Sequence, residues 1–379
     1  MANIRYRKRG NRGLWAYEIR HAGKTIAYNS GFKTKKLAET EAEPILQELR
    51  CGKRISKDIS LAELYQEWVE LKILPSNRSE ETKKKYLLRK KTIIKLFGDK
   101  KVTQIRASEY QRIMNSYRKT VSRNFLGRLN TSIHQSIQMA VADKILVDDF
   151  TQHVELFSSK KQQSVEDKYL HAEKDYLDLI SAVKEKFDYQ RSIVPYIIYF
   201  LLKTGMRFGE LIALTWDEVD FEKGFLKTYR RFNTLSHKFV PPKNKTSIRI
   251  VPIDEECIKI LQVLHTQQEK ANKELGIRNH SKMIFQHFGY IHSVPDIASV
   301  NKALNVILNK LDIYPIITTK GARHTYGSYL WHKGFDLGVI AKILGHKDIS
   351  MLVEVYGHTL EEKIYEEFNN IKYIWKETP

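Results

Sequence analysis

Ile193-Val194-Pro195-Tyr196-Ile197-Ile198-Tyr199-Phe200-Leu201-Leu202-Lys203-Thr204-Gly205-Met206-Arg207-Phe208-Gly209-Glu210-Leu211-Ile212-Ala213-Leu214 decides how the second half of this chain is read. The run from Ile193 to Leu202 is an apolar helix, far short of the roughly 20 residues a membrane span needs. Gly205 stops it, because a helix ends readily on a residue that tolerates left-handed backbone. A second short helix follows, with Leu211 and Leu214 one turn apart, so Arg207 stands at the very start of a helix. Downstream, Phe225 to Phe232 and Lys238 to Ile253 read as strands, the latter folded about Pro241-Pro242-Lys243-Asn244-Lys245. Helices resume over 254–275, 298–311, 319–332 and 336–344.

Upstream, a polar stretch over 157–167, with Ser158-Ser159-Lys160-Lys161-Gln162-Gln163-Ser164, reads as a linker. Before it lies an all-helical block. Leu61, Leu64, Tyr65, Trp68, Val69 and Leu71 recur at helical spacing, and Leu87, Ile93, Ile94 and Phe97 continue the pattern after the break at Pro75-Ser76-Asn77. Ala107 to Tyr117 and Asn124 to Ala142 complete the block. Residues 51–58 turn polar and basic, a first linker. The opening segment alternates with period two over 14–19 and 25–28 about the turn at His21-Ala22-Gly23-Lys24, which marks a small sheet. A helix-forming stretch, Lys35 to Arg50, follows, and Pro44 is expected to start or kink it. The fold class expected is α+β and multidomain: a three-stranded sheet plus helix, an all-helical domain, and a mainly helical domain with a small antiparallel sheet. The boundaries fall at 1–55, 58–156 and 165–379.

Composition narrows the function. The chain has 379 residues, 64 Lys and Arg against 44 Asp and Glu, a formal charge of +20, and two cysteines. With 42% apolar and 28% charged residues it is neither disordered nor a membrane protein. Isolated Cys51 and Cys257 allow no disulfide framework and no paired-cysteine zinc site, so no metal is expected. The start of the chain lacks the apolar core of a signal peptide, and a cytoplasmic location is expected. Gly23-Lys24-Thr25 is not the end of a phosphate-binding loop, because Glu18 occupies the first glycine position.

The charge is concentrated. Between Met1 and Lys36 ten cations face one acid, Glu18. A surplus that dense suits a nucleic-acid backbone, which draws folded cations by counterion release. The candidate DNA-binding residues are Arg5, Arg7, Lys8, Arg9, Arg12 and Lys24 here, and Lys83, Lys84, Arg89 and Lys90 in the helical block.

Four patterns in the last block carry chemistry: Thr204-Gly205-Met206-Arg207; Lys320-Gly321-Ala322-Arg323-His324, with Lys320, Arg323 and His324 on one helix face; Leu344-Gly345-His346; and Tyr356. Lys243 or Lys245 on the strand turn completes the set. Displacement at a phosphodiester builds charge on the non-bridging oxygens, which two guanidinium forks can clamp, and Arg207 and Arg323 fit that task. A tyrosine hydroxyl, of pKa about 10, becomes a nucleophile when neighbouring cations favour the phenolate. A lysine on the turn can protonate the leaving 5′ oxygen. The protein's own cations then do the electrostatic work, and no cofactor is expected. Glu210 and Asp217 read as partners for buried arginine or as helix caps.

These motifs resemble those of the tyrosine recombinases, the phage-type integrases. The resemblance implies an arm-site DNA-binding domain at the amino terminus, a core-binding domain in the helical block and a catalytic domain from about 165 to 379. It implies Arg207 and Arg323 as phosphate clamps, Lys243 as general acid in Pro242-Lys243-Asn244-Lys245-Thr246-Ser247-Ile248-Arg249, His346 donating to the scissile phosphate, and Tyr356 as nucleophile. Two positions depart from the family pattern. Lys320 stands where histidine is usual, and a lysine donates to phosphate but is no base near neutral pH. Asn244 replaces a threonine, which leaves Lys243 and Lys245 both open.

The resemblance further implies double-stranded DNA partners at core and arm sites, a homo-oligomer on DNA in the form of a tetrameric synapse, an excisionase or host bending protein as accessory, no membrane, and a role in moving a phage or conjugative transposon. A non-catalytic DNA-binding regulator and a strand-swivelling topoisomerase of type IB are the alternatives. The tail, with Leu360, Ile364, Phe368, Ile371 and Trp375 at helical spacing, is expected to dock on a neighbouring subunit or on its own domain.

Overall fold

The computed structural model describes residues 3–9, 13–21, 24–50, 59–143, 149–157, 164, 166–346, 349–350 and 352–353. They fall into two compact units, 1–162 and 163–379. Of the two expected linkers, all of 51–58 and most of 157–167 lie outside the described residues, as do Arg12, Tyr356 and the tail.

The first unit opens with β1 (Asn3–Arg9), β2 (Leu14–His21) and β3 (Lys24–Phe32), an antiparallel meander backed by α1 (Lys35–Arg50). Register pairs Ile4 with Ile19 and Tyr6 with Tyr17, so one face buries Tyr17 and Ile19 against Ala38, Ala42 and Leu46 of the helix. The pleat sends Arg5 and Arg7 to the other face, exposed. Pro44 sits inside α1, which neither starts nor stops there; the helix forgoes one hydrogen bond, at the Thr40 carbonyl, and continues.

The helical block comprises α2 (Leu61–Trp68), α3 (Glu80–Phe97), α4 (Ala107–Tyr117) and α5 (Arg123–Ala142) around a core of Tyr65, Trp68, Phe97, Tyr110 and Ile133. Ser60 and Glu63 form a reciprocal cap that starts α2. The helical stripe read from sequence holds for Ile93 and Phe97, but Leu71, Leu87 and Ile94 are exposed. At Leu71 the cause is a π-helical turn, Val69–Ile73, closed by the Leu74 N–H donating to the Val69 carbonyl at 2.9 Å. One extra residue in that turn rotates Ile73 inward and Leu71 outward.

The second unit starts with α6 (Glu173–Lys184), which the sequence pattern did not mark, and α7 (Val194–Thr204), whose side chains are nearly all buried. α8 (Phe208–Leu211) is a single turn, shorter than expected, and Leu214 lies beyond it. β4 (Val219–Asp220) and β5 (Phe225–Thr228) follow, then β6 (Arg231–Asn233), β7 (Lys238–Val240) and β8 (Arg249–Pro252). The expected strand over 225–232 is thus two strands in two sheets. β5 pairs with β8 as far as Thr228 opposite Arg249, and the chain between them leaves as the separate β6–β7 hairpin. α9 (Glu255–Glu274), α10 (Ile297–Lys310), α11 (Thr319–His332) and α12 (Leu337–Leu344) complete the unit. Asp254, Asp296 and Asp336 cap α9, α10 and α12 through their side chains. α7 runs through the core, and α11, with α12 behind it, brings the later motifs against its carboxyl end. Among the described residues no helix is long and apolar enough to cross a membrane.

Candidate active site

Two left-handed glycines organise the site. Gly205 ends α7 at φ +59°, its N–H donating to the Leu201 carbonyl at 3.1 Å. A Cβ there would stand 2.5 Å from the Tyr326 ring and 2.6 Å from Leu344, so only glycine lets α7 end against α11 and α12. Gly345 ends α12 at φ +67°, donating to the Lys342 carbonyl at 3.1 Å while the His346 N–H donates to the Ala341 carbonyl at 2.9 Å. That pair of bonds is a Schellman cap, and it fixes where His346 emerges.

Arg207 is wired from three elements. Its Nη1 donates to Glu210 Oε1 at 2.7 Å and to Ser247 Oγ at 3.1 Å, and its Nη2 to the Gly345 carbonyl at 3.1 Å. Glu210 is 3% exposed and also accepts from Arg249 Nη2 at 3.0 Å. Burial alone would raise the Glu210 pKa, but the charges of Arg249 and Arg207 and their hydrogen bonds hold it below the usual carboxylate range. Arg249 in turn donates through Nε to the Ile343 carbonyl and through Nη1 to the Ser247 carbonyl. It joins the strand turn, the first arginine motif and the end of α12.

Arg323, 5% exposed, donates through Nη1 to the Gly205 carbonyl at 2.9 Å and through Nη2 to the Leu344 carbonyl. Gly321 permits its helix to lie close, since a Cβ there would meet the Lys168 carbonyl at 2.6 Å. Thr325 accepts from the Leu170 N–H at 3.0 Å and ties the same helix to the start of the unit. Burial, then Lys320, Arg323 and Lys168, pushes the His324 pKa down to about 4. Burial, then Arg323, Arg207, His324 and Arg249, does the same for His346, also to about 4. Both imidazoles are therefore neutral at physiological pH, and His346 Nδ1 is buried with no hydrogen-bond partner among the described residues.

Arg207, Lys243, Lys320, Arg323 and His346 all line one cavity of about 430 Å³. Five of the six residues singled out for chemistry thus meet; the sixth, Tyr356, lies outside the described residues. Lys245 does not line this cavity, so geometry favours Lys243 of the two. Glu210 is, as read from sequence, a partner of buried arginine, whereas Asp217 pairs with exposed Lys282 and serves no buried group. Arg231 and His324 line the cavity too. His324 was legible from its helix spacing, and Arg249 could have been found from its place at the end of the hairpin motif. Arg231 carried no sequence signal. Glu210, the one carboxylate among the described lining residues, is neutralised by Arg207 and Arg249, so the lining is net cationic and suits an anion. Among the described residues no cluster of three or more His, Cys, Asp or Glu could hold a metal ion.

The candidate DNA contacts divide differently. Arg5, Arg7, Lys8 and Arg9 are exposed on the sheet, Arg7 pairing with Glu18 and Arg9 lying over the Tyr28 ring. Lys84 is exposed, Lys90 half-buried, and Lys83 pairs with Glu80 at 3.1 Å. Arg89 donates to buried Ser132 at 2.7 Å and stacks on Tyr86, so it braces α3 against α5. The Lys24 side chain and Arg12 lie outside the described residues.

The phage integrase family model matches residues 170–363, more than half the chain. A tyrosine recombinase XerC-like protein of Caldanaerobacter subterraneus subsp. tengcongensis is 26% identical over 360 residues, 90% of each chain. The ICEBs1 integrase of Bacillus subtilis is 34% identical over 171 residues, 44% of this chain and 45% of that one. Among solved structures, the Tn1549 transposon integrase bound to transposon right end DNA superposes with a TM-score of 0.66 at 19% identity, covering 83% of this chain and all of that one. A lambda integrase tetramer bound to a Holliday junction gives 0.55 at 16% identity, covering 93% and 94%.

Proposed function

This chain belongs to the phage integrase family, and from that premise we propose that it is a site-specific DNA recombinase which cuts and rejoins duplex DNA to integrate and excise a mobile element. The observation that carries the reading is the convergence of Arg207, Lys243, Lys320, Arg323 and His346 on one cavity. Relatives that are named as integrases and transposases of mobile elements support it.

A DNA phosphodiester enters the cavity, and Arg207 and Arg323 hold its non-bridging oxygens. Their guanidiniums are already fixed by Glu210, Ser247 and three backbone carbonyls, so the pentacoordinate charge is met without reorganisation. Neutral His346 donates a hydrogen bond to the same phosphate. The Tyr356 oxygen attacks phosphorus, its proton passing to solvent water as the surrounding cations favour phenolate. The bond to the 5′ oxygen breaks and Lys243 protonates that oxygen. The product is a 3′-phosphotyrosyl link and a free 5′ hydroxyl. Attack of a partner strand's 5′ hydroxyl on that link reverses the step and exchanges strands. Bond energy is kept in the link, so rejoining draws on no nucleotide. Lys320 serves as a cationic donor to phosphate where the family usually has histidine.

Residues 1–55 act as an arm-site module, 58–156 as the core-binding domain and 165–379 as the catalytic domain. The exposed cations of β1 provide the arm contact. Recombination takes place in a tetramer of this chain on two duplexes, directed by an excisionase or a host bending protein. A nicked duplex copied from the junction of the element that carries this gene tests the reading. Denaturing electrophoresis is expected to give a covalent adduct with the wild-type chain and none with Tyr356→Phe. Binding without an adduct would leave a DNA-binding regulator, and relaxation of any supercoiled plasmid lacking the junction would indicate a topoisomerase.

A further inference from the structure

We infer that Arg231 is an additional substrate-binding residue of this site, gripping the DNA backbone phosphate next to the scissile one on the leaving-strand side. This rests on the recombinase reading above. Three observations place Arg231 for the task. It lines the same cavity as Lys243 and the two clamp arginines. Its Nε donates to the Pro241 carbonyl at 3.1 Å, two residues before Lys243, so its base is fixed to the turn that carries the general acid. And strand β6 lies close against α8 at Gly209, where a Cβ would stand 3.1 Å from the Phe232 carbonyl and 3.7 Å from Arg231 Cβ.

What separates Arg231 from its neighbours is where its donors are spent. Arg207 has committed Nη1 to Glu210 and Ser247 and Nη2 to Gly345, and Arg323 has both Nη atoms on carbonyls. Those two are rigid and partly saturated, as suits a transition-state cradle. Arg231 uses Nε alone, and among the described residues its Nη1 and Nη2 make no hydrogen bond. The whole bidentate edge of a guanidinium is therefore available at the cavity, and its natural complement is a phosphate. Arg230, the residue before β6, instead pairs with Glu218 at 2.8 Å and lies over the Phe239 ring, so its charge is engaged within the fold.

Because Lys243 protonates the leaving 5′ oxygen, a guanidinium on its turn faces the strand that departs. Arg231 would retain that strand, so that its 5′ hydroxyl stays in place for rejoining. The step's bonds and protons are those already given, and Arg231 exchanges none.

The test uses the full chain and the junction duplex in two forms. One carries a neutral methylphosphonate at the phosphate immediately beyond the leaving oxygen; the other carries a bridging 5′ sulfur, whose thiolate leaves without needing a proton. Arg231→Ala is expected to slow rejoining of the preformed adduct about 10- to 100-fold, the range for losing a charged hydrogen-bond pair. The methylphosphonate should slow the wild type to a similar degree and add nothing to Arg231→Ala. Because a 5′ thiol rejoins poorly, the sulfur substrate is read in cleavage, where any loss in Arg231→Ala should be as large with sulfur as with oxygen. If sulfur restores cleavage, Arg231 merely positions Lys243 and the inference falls; if the methylphosphonate and Arg231→Ala defects multiply, Arg231 contacts a different phosphate and the inference also falls. Arg231→Lys, which keeps the charge, should recover part of the loss. Failure of the wild type to form any adduct would instead overturn the recombinase reading itself.

Discussion

The cations of β1 and those of the cavity come from the same two residue types and are held in opposite ways. Arg5 and Arg9 project from a pleated strand into solvent, and Glu18 is the acid that serves Arg7 and Arg20 beside them. Arg323 and Arg249 are almost wholly buried, each tied to backbone carbonyls from separate elements. An exposed cation contributes charge, and its partner can sit anywhere along a phosphate backbone. A buried, carbonyl-bound guanidinium contributes a position, and its energy is realised only when an oxygen occupies one point. The first kind should govern affinity and salt dependence, the second the rate of chemistry.

Substitutions can break that contrast, and the largest effect is expected at Glu210. Glu210→Ala removes the counter-charge of buried Arg249 and of Arg207 and should cost about 3–5 kcal/mol in denaturant unfolding. A loss under 1 kcal/mol would mean the two guanidiniums hold each other's neighbours without it. Arg207→Ala should lower single-turnover cleavage roughly 10²- to 10³-fold while leaving duplex affinity within a few-fold; equal losses in both would erase the distinction from the sheet. Gly205→Ala, which forces alanine into left-handed backbone against the Tyr326 ring, should destabilise by about 2–3 kcal/mol.

Acid sharpens the comparison further. His324 and His346 have folded pKa values near 4, below their ordinary 6.5. From pH 6.5 downward the unfolded chain takes up protons that the folded cavity refuses, so stability present above pH 6.5 is lost as pH falls toward 4. Urea midpoints at pH 7.5 and 5.0 should show the drop, and His346→Gln should flatten it. The smallest effect belongs to the sheet. Arg5→Ala or Arg9→Ala should each reduce the slope of log affinity against log salt by about one, with cleavage at saturation unchanged.

Much of this site was legible in the chain before its fold. Glycine after an apolar run gave the left-handed stops at 205 and 345, and spacing put Lys320, Arg323 and His324 on one face of α11, whose bounds matched. What stayed hidden was direction. A strand arginine looks the same in sequence whether it faces solvent, as Arg20 does, a buried carboxylate, as Arg249 does, or a cavity, as Arg231 does. Only register against a partner strand decides, and the break of the expected 225–232 strand into β5 and β6 moved that register. The exposure of Leu71 has a similar origin, since a π-helical turn inserts a residue that no periodicity reveals. Pro44 stays inside α1 because packing of Ala38, Ala42 and Leu46 on the sheet outweighs one missing hydrogen bond.

The central claim is that this cavity serves an attack by Tyr356 on DNA. Trapping the adduct on a nicked junction duplex, digesting protein and DNA, and sequencing the modified peptide by mass spectrometry tests it most directly. The expected result is a nucleotide joined through its 3′ phosphate to Tyr356, in much lower yield with Arg207→Ala and Arg323→Ala. A nucleotide on any other residue, or a link through a 5′ phosphate, would contradict it.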